Sequence, residues 1–154
     1  MSHPHLYRKA STRQLERKPH VLWNEYVDLL AMSDYALTQV QRIAHLAFWY
    51  DAEVQNGGHL QYFENKGITR VDETIAALRN LGAQCQSEVL SRASIQFLSR
   101  PRARIPSASE YIEIALQGEF DEFDQAYHAC HPEITELLKT YLEANEAEFI
   151  KRVE

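Results

Sequence analysis

Between Pro19 and Pro101 the chain holds no proline, and its 154 residues include only five prolines and five glycines. A stretch that long without helix breakers, with apolar residues recurring three and four apart, reads as α-structure. No segment sustains the period-two alternation of β-branched residues that a half-buried strand shows, and no internal repeat is visible. The expectation is an all-α fold, a single compact domain of about seven to nine helices that needs no strands.

Apolar spacing and capping residues place the elements. Residues 1–18 read as a basic N-terminal arm, frayed or a marginal helix, and 19–154 as the helical domain. The first firm helix spans 20–32, with Val21, Leu22, Tyr26, Leu29 and Leu30 on one side. Ser33 and Asp34 offer N-caps for a long helix ending near Gln55. Val40, Ala44, Ala47 and Val54 stripe one of its sides and Ile43, Leu46 and Tyr50 another, so it is the central helix. It ends at Asn56-Gly57-Gly58. Helices follow over 59–66, 71–81 and 84–98, stopped by Gly67, Gly82 and the loop Ser99–Ser107. Ser107 and Glu110 form a capping-box pattern for a helix to Gln117, and Glu119–Ala129 makes another. Pro132 opens a last helix reaching Val153, with Ile134, Leu137, Leu138, Tyr141 and Leu142 inward.

Charge divides the chain. Residues 1–20 carry five Lys/Arg against one acid, and residues 110–154 carry three against twelve, within a total of −6. A field of that sign repels nucleic acid and membranes and steers a basic partner, though a solvated helical face carries the same pattern. The acids Glu119, Asp121, Glu122 and Asp124 flank Phe120 and Phe123. Glu133, Glu136, Glu143 and Glu146 recur at spacings of three and seven, which puts them on one face of the last helix. The amino terminus lacks the apolar core of a signal peptide, and no apolar run approaches ~18 residues. Both point to the cytoplasm, where Cys85 and Cys130 stay reduced.

The densest local signal is Phe48–Gly67. Glu53, Asn56, Gln61 and Asn65 surround a double glycine beside Trp49, Tyr50, Tyr62 and Phe63. Two readings fit: a pocket of polar groups in an aromatic frame, or a helical corner. In the second, Asn56 takes the left-handed position and Glu53 and Gln61 bond exposed backbone amides. Glu53 and His59, six apart, could also work as an acid/base pair. His128, Cys130, His131 and Glu133 are ligand types, but no second Cys or His pair completes a metal site. Arg100, Arg102 and Arg104 either hold an anion or pair internally. Nucleophile elbows, phosphate-cradling loops and zinc-protease motifs are absent from the sequence, so no enzyme activity, metal or cofactor is expected.

The run Glu53-x-x-Asn56-Gly57-Gly58-x-x-Gln61-Tyr62-Phe63-x-Asn65-x-Gly67 resembles the bacterial DNA-mimic protein (DMP) family, a domain-of-unknown-function family. Weaker likeness runs through Glu73–Leu78, Glu119–Tyr127 and the final helix with Tyr141 and Asn145, covering residues 21–150. The resemblance implies an all-α homodimer without chemistry or cofactor. In its best-known member, acidic side chains imitate duplex phosphates and occupy the DNA-binding surface of a transcription factor. The acids that do this lie outside the motif, so the candidates here come from the charge gradient.

The expected function is a non-enzymatic, dimeric interaction protein that binds neither nucleic acid nor membrane. Its acidic surface, Glu119, Asp121, Glu122, Asp124, Glu133, Glu136, Glu143 and Glu146, would compete with DNA for a basic partner. Two other readings are a small-ligand or enzymatic pocket at the Glu53/Asn56/His59/Gln61 corner, and an immunity-type protein neutralising a basic toxin. A last helix from Pro132 to Val153 would be about 33 Å long. Duplex of that length bears roughly 19 phosphates, so one such helix could not imitate it alone.

Overall fold

The computed structural model describes residues 8–17, 20–31 and 37–153. Its elements run β1 (Arg8–Ser11), α1 (Thr12–Arg17), α2 (His20–Leu30), α3 (Gln39–Lys66), α4 (Val71–Leu81), α5 (Gln84–Leu98), α6 (Ala108–Leu116), α7 (Asp121–His128), α8 (Ile134–Ala144), α9 (Glu146–Phe149) and β2 (Ile150–Val153). The fold is all-helical, as the proline-poor sequence predicts, with one small two-stranded sheet among the described residues.

Helix α3 is the axis, and α2, α4, α7, α8 and α9 all pack on it. Ala44, Ala47, Tyr50 and Val54 along it are at most 1% exposed, so neighbours cover it on several sides. The expected caps Ser33 and Asp34 lie outside the described residues. Thr38 and Gln41 close a capping box instead: Thr38 Oγ1 accepts from the Gln41 N–H, and Gln41 Oε1 accepts from the Thr38 N–H. Gln41 is fully buried, and its Nε2 donates to Glu148 O at 2.7 Å, tying the start of α3 to α9. Helices α4 and α5 form a hairpin whose turn uses Gly82 at φ 95°, and Val71, Ile75, Leu78 and Leu81 all face the core.

Three expectations are corrected. The first concerns strands. Arg8–Ser11 pairs in parallel with Ile150–Val153, so part of the basic arm is ordered against the far end of the chain. Each strand has four residues, too few for an alternating pattern to register. The second concerns the last helix, which ends at Ala144. Asn145 leaves helical geometry at φ −126°, its Nδ2 bonds Tyr141 O, and the turn lets Phe149 and Ile150 enter the core. Phe149 is fully buried with its ring edge-on to Tyr26. Glu146 therefore leaves the helix that carries Glu136 and Glu143. Pro132 lies outside this helix as well, and Glu133 takes the N-cap position of α8.

The third concerns the cysteines. Cys85 and Cys130, expected as separate reduced thiols, form a disulfide between the start of α5 and the end of α7, with Cα atoms 5.7 Å apart. A separation of 45 residues carries no spacing signature, and only the packing of α5 on α7 brings the two together.

Candidate functional site

The double glycine ends the first half of α3, as the sequence predicts, and kinks the chain into its second half. Gly57 (φ −153°, ψ 17°) and Gly58 (φ 73°, ψ −172°) leave helical geometry, and a second helical half resumes at His59. Only glycine occupies the Gly58 region readily. Asn56 does not take a left-handed conformation, since among the described residues no non-glycine has positive φ. The chain turns at the glycine because the glycine alone tolerates it.

A helical half that starts mid-chain exposes backbone N–H groups. The acceptor comes from 65 residues away: Asp124 Oδ1, on α7, takes the His59 N–H at 2.8 Å and lies 2.7 Å from His59 Nδ1. His59 is fully buried, and its Nε2 lies 2.7 Å from the Tyr50 hydroxyl. Burial holds the Tyr50 pKa well above its ordinary value; the Tyr50 hydroxyl shares one hydrogen bond with His59 Nε2, and His59 Nδ1 shares the other with Asp124 Oδ1. Tyr127 Oη donates to Asp51 on the same side of α3. The result is an Asp124–His59–Tyr50 line, fully buried at His59 and Tyr50 and half-buried at Asp124, that fastens α7 to the break.

The motif side chains form a second, outward cluster. Asn56 Nδ2 donates to Gln61 Oε1 (3.1 Å), Gln61 Nε2 to Glu53 Oε2 (2.9 Å), and Asn65 Nδ2 to the same oxygen (2.8 Å). Each amide is thereby oriented. Glu53 and Gln61 thus bond each other, not backbone amides as the corner reading has it. Gln61 lies over Gly57, where an added Cβ would come within 2.8 Å of the Gln61 Cβ. Tyr62 and Phe63 face the core, and Gly67 closes the helix at φ 68° with its N–H on Phe63 O. Glu53 and His59, weighed as an acid/base pair, are not brought together; His59 turns inward to Asp124 and Tyr50. Beside the outer cluster an open hollow of 320 Å³ is lined by Gln61, Glu64, Asn65, Arg104, Ser107 and Tyr111 among others.

The acids sort by what they touch. Glu119 is held by Arg102 (2.6 Å), Arg100 (3.0 Å) and Gln96 (2.9 Å), which pushes its carboxyl down to about 2, the Arg102 hydrogen bond contributing most. Two of the three loop arginines thus pair internally. Asp124 is committed to His59. Glu122 pairs with Arg92, and Glu146 with Arg152. Asp121, Glu133, Glu136 and Glu143 are exposed, with no ion-pair partner among the described residues. Of the ligand types after α7, Cys130 is committed to the disulfide, and among the described residues no three His, Cys, Asp or Glu gather as a metal would require. Among the described helices none is long and apolar enough to cross a membrane.

Sequence reasoning missed the Asp124–His59–Tyr50 line. Asp124 follows Phe123 inside an acidic run, and nothing local distinguishes it from its neighbours. A broken central helix with a glycine corner, clamped from the side by a distant carboxylate, defines a compact all-helical domain. The family described as DMP19-like protein matches residues 35–145, well over half of the chain, and the protein belongs to that family. No curated protein and no solved structure matches it.

Proposed function

We propose that this protein is a non-enzymatic interaction protein whose acidic surface competes with DNA for a basic, DNA-binding partner. One observation carries the reading: Asp121, Glu133, Glu136 and Glu143 stay exposed on α7 and α8 without a cation among the described residues. Glu122, 76% exposed beside Arg92, can swing to a stronger cation at small cost, because exposed pairs contribute at most about 1 kcal/mol. Glu119, Asp124 and Glu146 are spoken for internally and are not contact residues.

Charge density sets a limit. Eleven-residue α8 is roughly 16 Å long, a length of duplex bearing about 10 phosphates. Glu136 and Glu143, with Glu133 at the N-cap and Lys139 between them, cannot match that, so the surface needs α7 and a second copy. Helix α6 supplies an apolar face for that copy: it buries none of its residues, and Ile112 and Leu116 are 58% and 82% exposed. Low-salt capture from host lysate followed by a DNA-shift assay tests the proposal. The captured protein should lose its DNA when this protein is added, and an Asp121→Asn, Glu133→Gln, Glu136→Gln, Glu143→Gln variant should fail to displace it. Recovery of no DNA-binding protein would defeat the reading, and recovery of a basic toxin would move it to the immunity-type role.

The 320 Å³ hollow beside Gln61 and Asn65 favours a second reading, a small polar ligand held by the oriented amides. A thermal-shift screen of amino acids, sugars and nucleotides with no stabilising compound would remove it.

A further inference from the structure

The Cys85–Cys130 bond plays no part in the acidic-surface reading, and its two halves stand in different surroundings. Cys85 is the second residue of fifteen-residue α5 and is exposed. Cys130 is 2% exposed, and its Sγ lies 3.4 Å from Ala126 O. Attack by an external thiol is therefore directed to one end of the bond. The segment around Cys130 is also held in two other ways. Gln86 Nε2 donates to Pro132 O at 2.8 Å, and Tyr127 donates to Asp51. Breaking the disulfide leaves both, so its opening loosens the α7–α8 junction without unfolding the chain.

We propose that Cys85 and Cys130 form a reversible thiol–disulfide switch, Cys85 exchanging with low-molecular-weight thiols and disulfides and Cys130 opening or closing the internal bond. In the reducing direction a thiolate RS⁻ attacks the Cys85 sulfur. A Cys85–S–S–R bond forms, the bond to Cys130 breaks, and the Cys130 thiolate takes a proton; its S–H then has Ala126 O as acceptor. A second RS⁻ attacks the R sulfur, forming RSSR and releasing Cys85 as a thiolate beside the N-terminus of α5, whose dipole favours negative charge there. Two electrons pass from two thiols to the protein. In the oxidising direction the Cys85 thiolate attacks RSSR and expels RS⁻. The Cys130 thiolate then attacks the Cys85 sulfur and expels the second RS⁻. The switch acts on the junction between the helices that carry Asp121 and Glu136, and it stands whether or not those acids bind a basic partner.

The test equilibrates the full-length protein in buffers of graded reduced-to-oxidised glutathione ratio, quenches with acid, alkylates and weighs the products. Wild type should pass reversibly between a two-thiol and a one-disulfide form. Cys130→Ser should accumulate a glutathione adduct on Cys85, at least ten-fold more than Cys85→Ser accumulates on Cys130. Reduction should raise amide exchange over residues 128–133 and leave residues 39–66 unchanged. Circular dichroism verifies the fold of each variant, with Cys130→Ala as the alternative where Cys130→Ser does not fold. A bond that no glutathione ratio opens in the folded protein, equal trapping on both cysteines, or unchanged exchange at 128–133 would each overturn the proposal.

Discussion

Gly58 joins a backbone conformation reserved for glycine to a crowded surrounding. Its φ of 73° with ψ near 180° excludes a side chain, and an added Cβ would come within 2.8 Å of the Asp124 carboxyl carbon. Gly58→Ala should lower unfolding free energy by about 2–4 kcal/mol, read from urea denaturation, because strain and loss of the Asp124 clamp act together. His45 offers a pH test. It is 8% exposed, its Nδ1 has no partner among the described residues, and burial pushes its pKa down to about 4, opposed by hydrogen bonding toward the Leu30 backbone and helped slightly by Lys66 and Arg42. The folded state holds the neutral ring while the unfolded chain protonates near 6.5, so stability falls as pH drops from about 6.5 to about 4. His45→Phe should flatten that part of the stability–pH curve. Glu119 titrates lower. Its carboxyl is depressed in the fold, so the stability from its arginine clamp is present above about 4.5 and lost as pH falls toward about 2. The stability gap between wild type and Glu119→Gln should therefore close over that lower window.

Helices here begin and end where capping chemistry permits and where tertiary burial demands. Gly67, Gly82 and Ser107 act where the sequence places them, because a cap or a positive-φ glycine is a local property. The end of α8 is different. Apolar spacing continues past Asn145, yet Phe149 reaches Tyr26 only if the helix turns there. Helix α6 is the opposite case, a well-capped helix that buries none of its residues. If a second copy covers it, Leu116→Glu should shift the protein to monomer in sedimentation velocity while leaving circular dichroism unchanged. A wild type that is already monomeric would remove the dimer from the proposal.

At the scale of the molecule, charge polarity survives folding and is partly spent inside it. The arginine loop and α7 consume Glu119, and the break in α3 consumes Asp124, which leaves the exposed acids of α7 and α8 to face solvent. An interaction resting on those acids weakens with salt, because a Debye length near 8 Å at physiological ionic strength screens exposed charges. Partner affinity should fall at least ten-fold between about 50 and 200 mM salt, measured by titration calorimetry. An affinity independent of salt would assign the contact to apolar residues instead.

The helical class, most helix boundaries after residue 58, the buried faces of α4 and α8, and the family motif from Glu53 to Gly67 are all legible in the order of residues alone. These rest on periodicity and on local φ/ψ demands, both of which act within a few residues. Packing of the helices sets the rest: Cys85 meets Cys130, Arg8–Ser11 pairs with Ile150–Val153, and Asp124 caps the break at His59. Those contacts join residues 45 to about 140 apart, and their partners are chosen by how the helices pack, which no local pattern records.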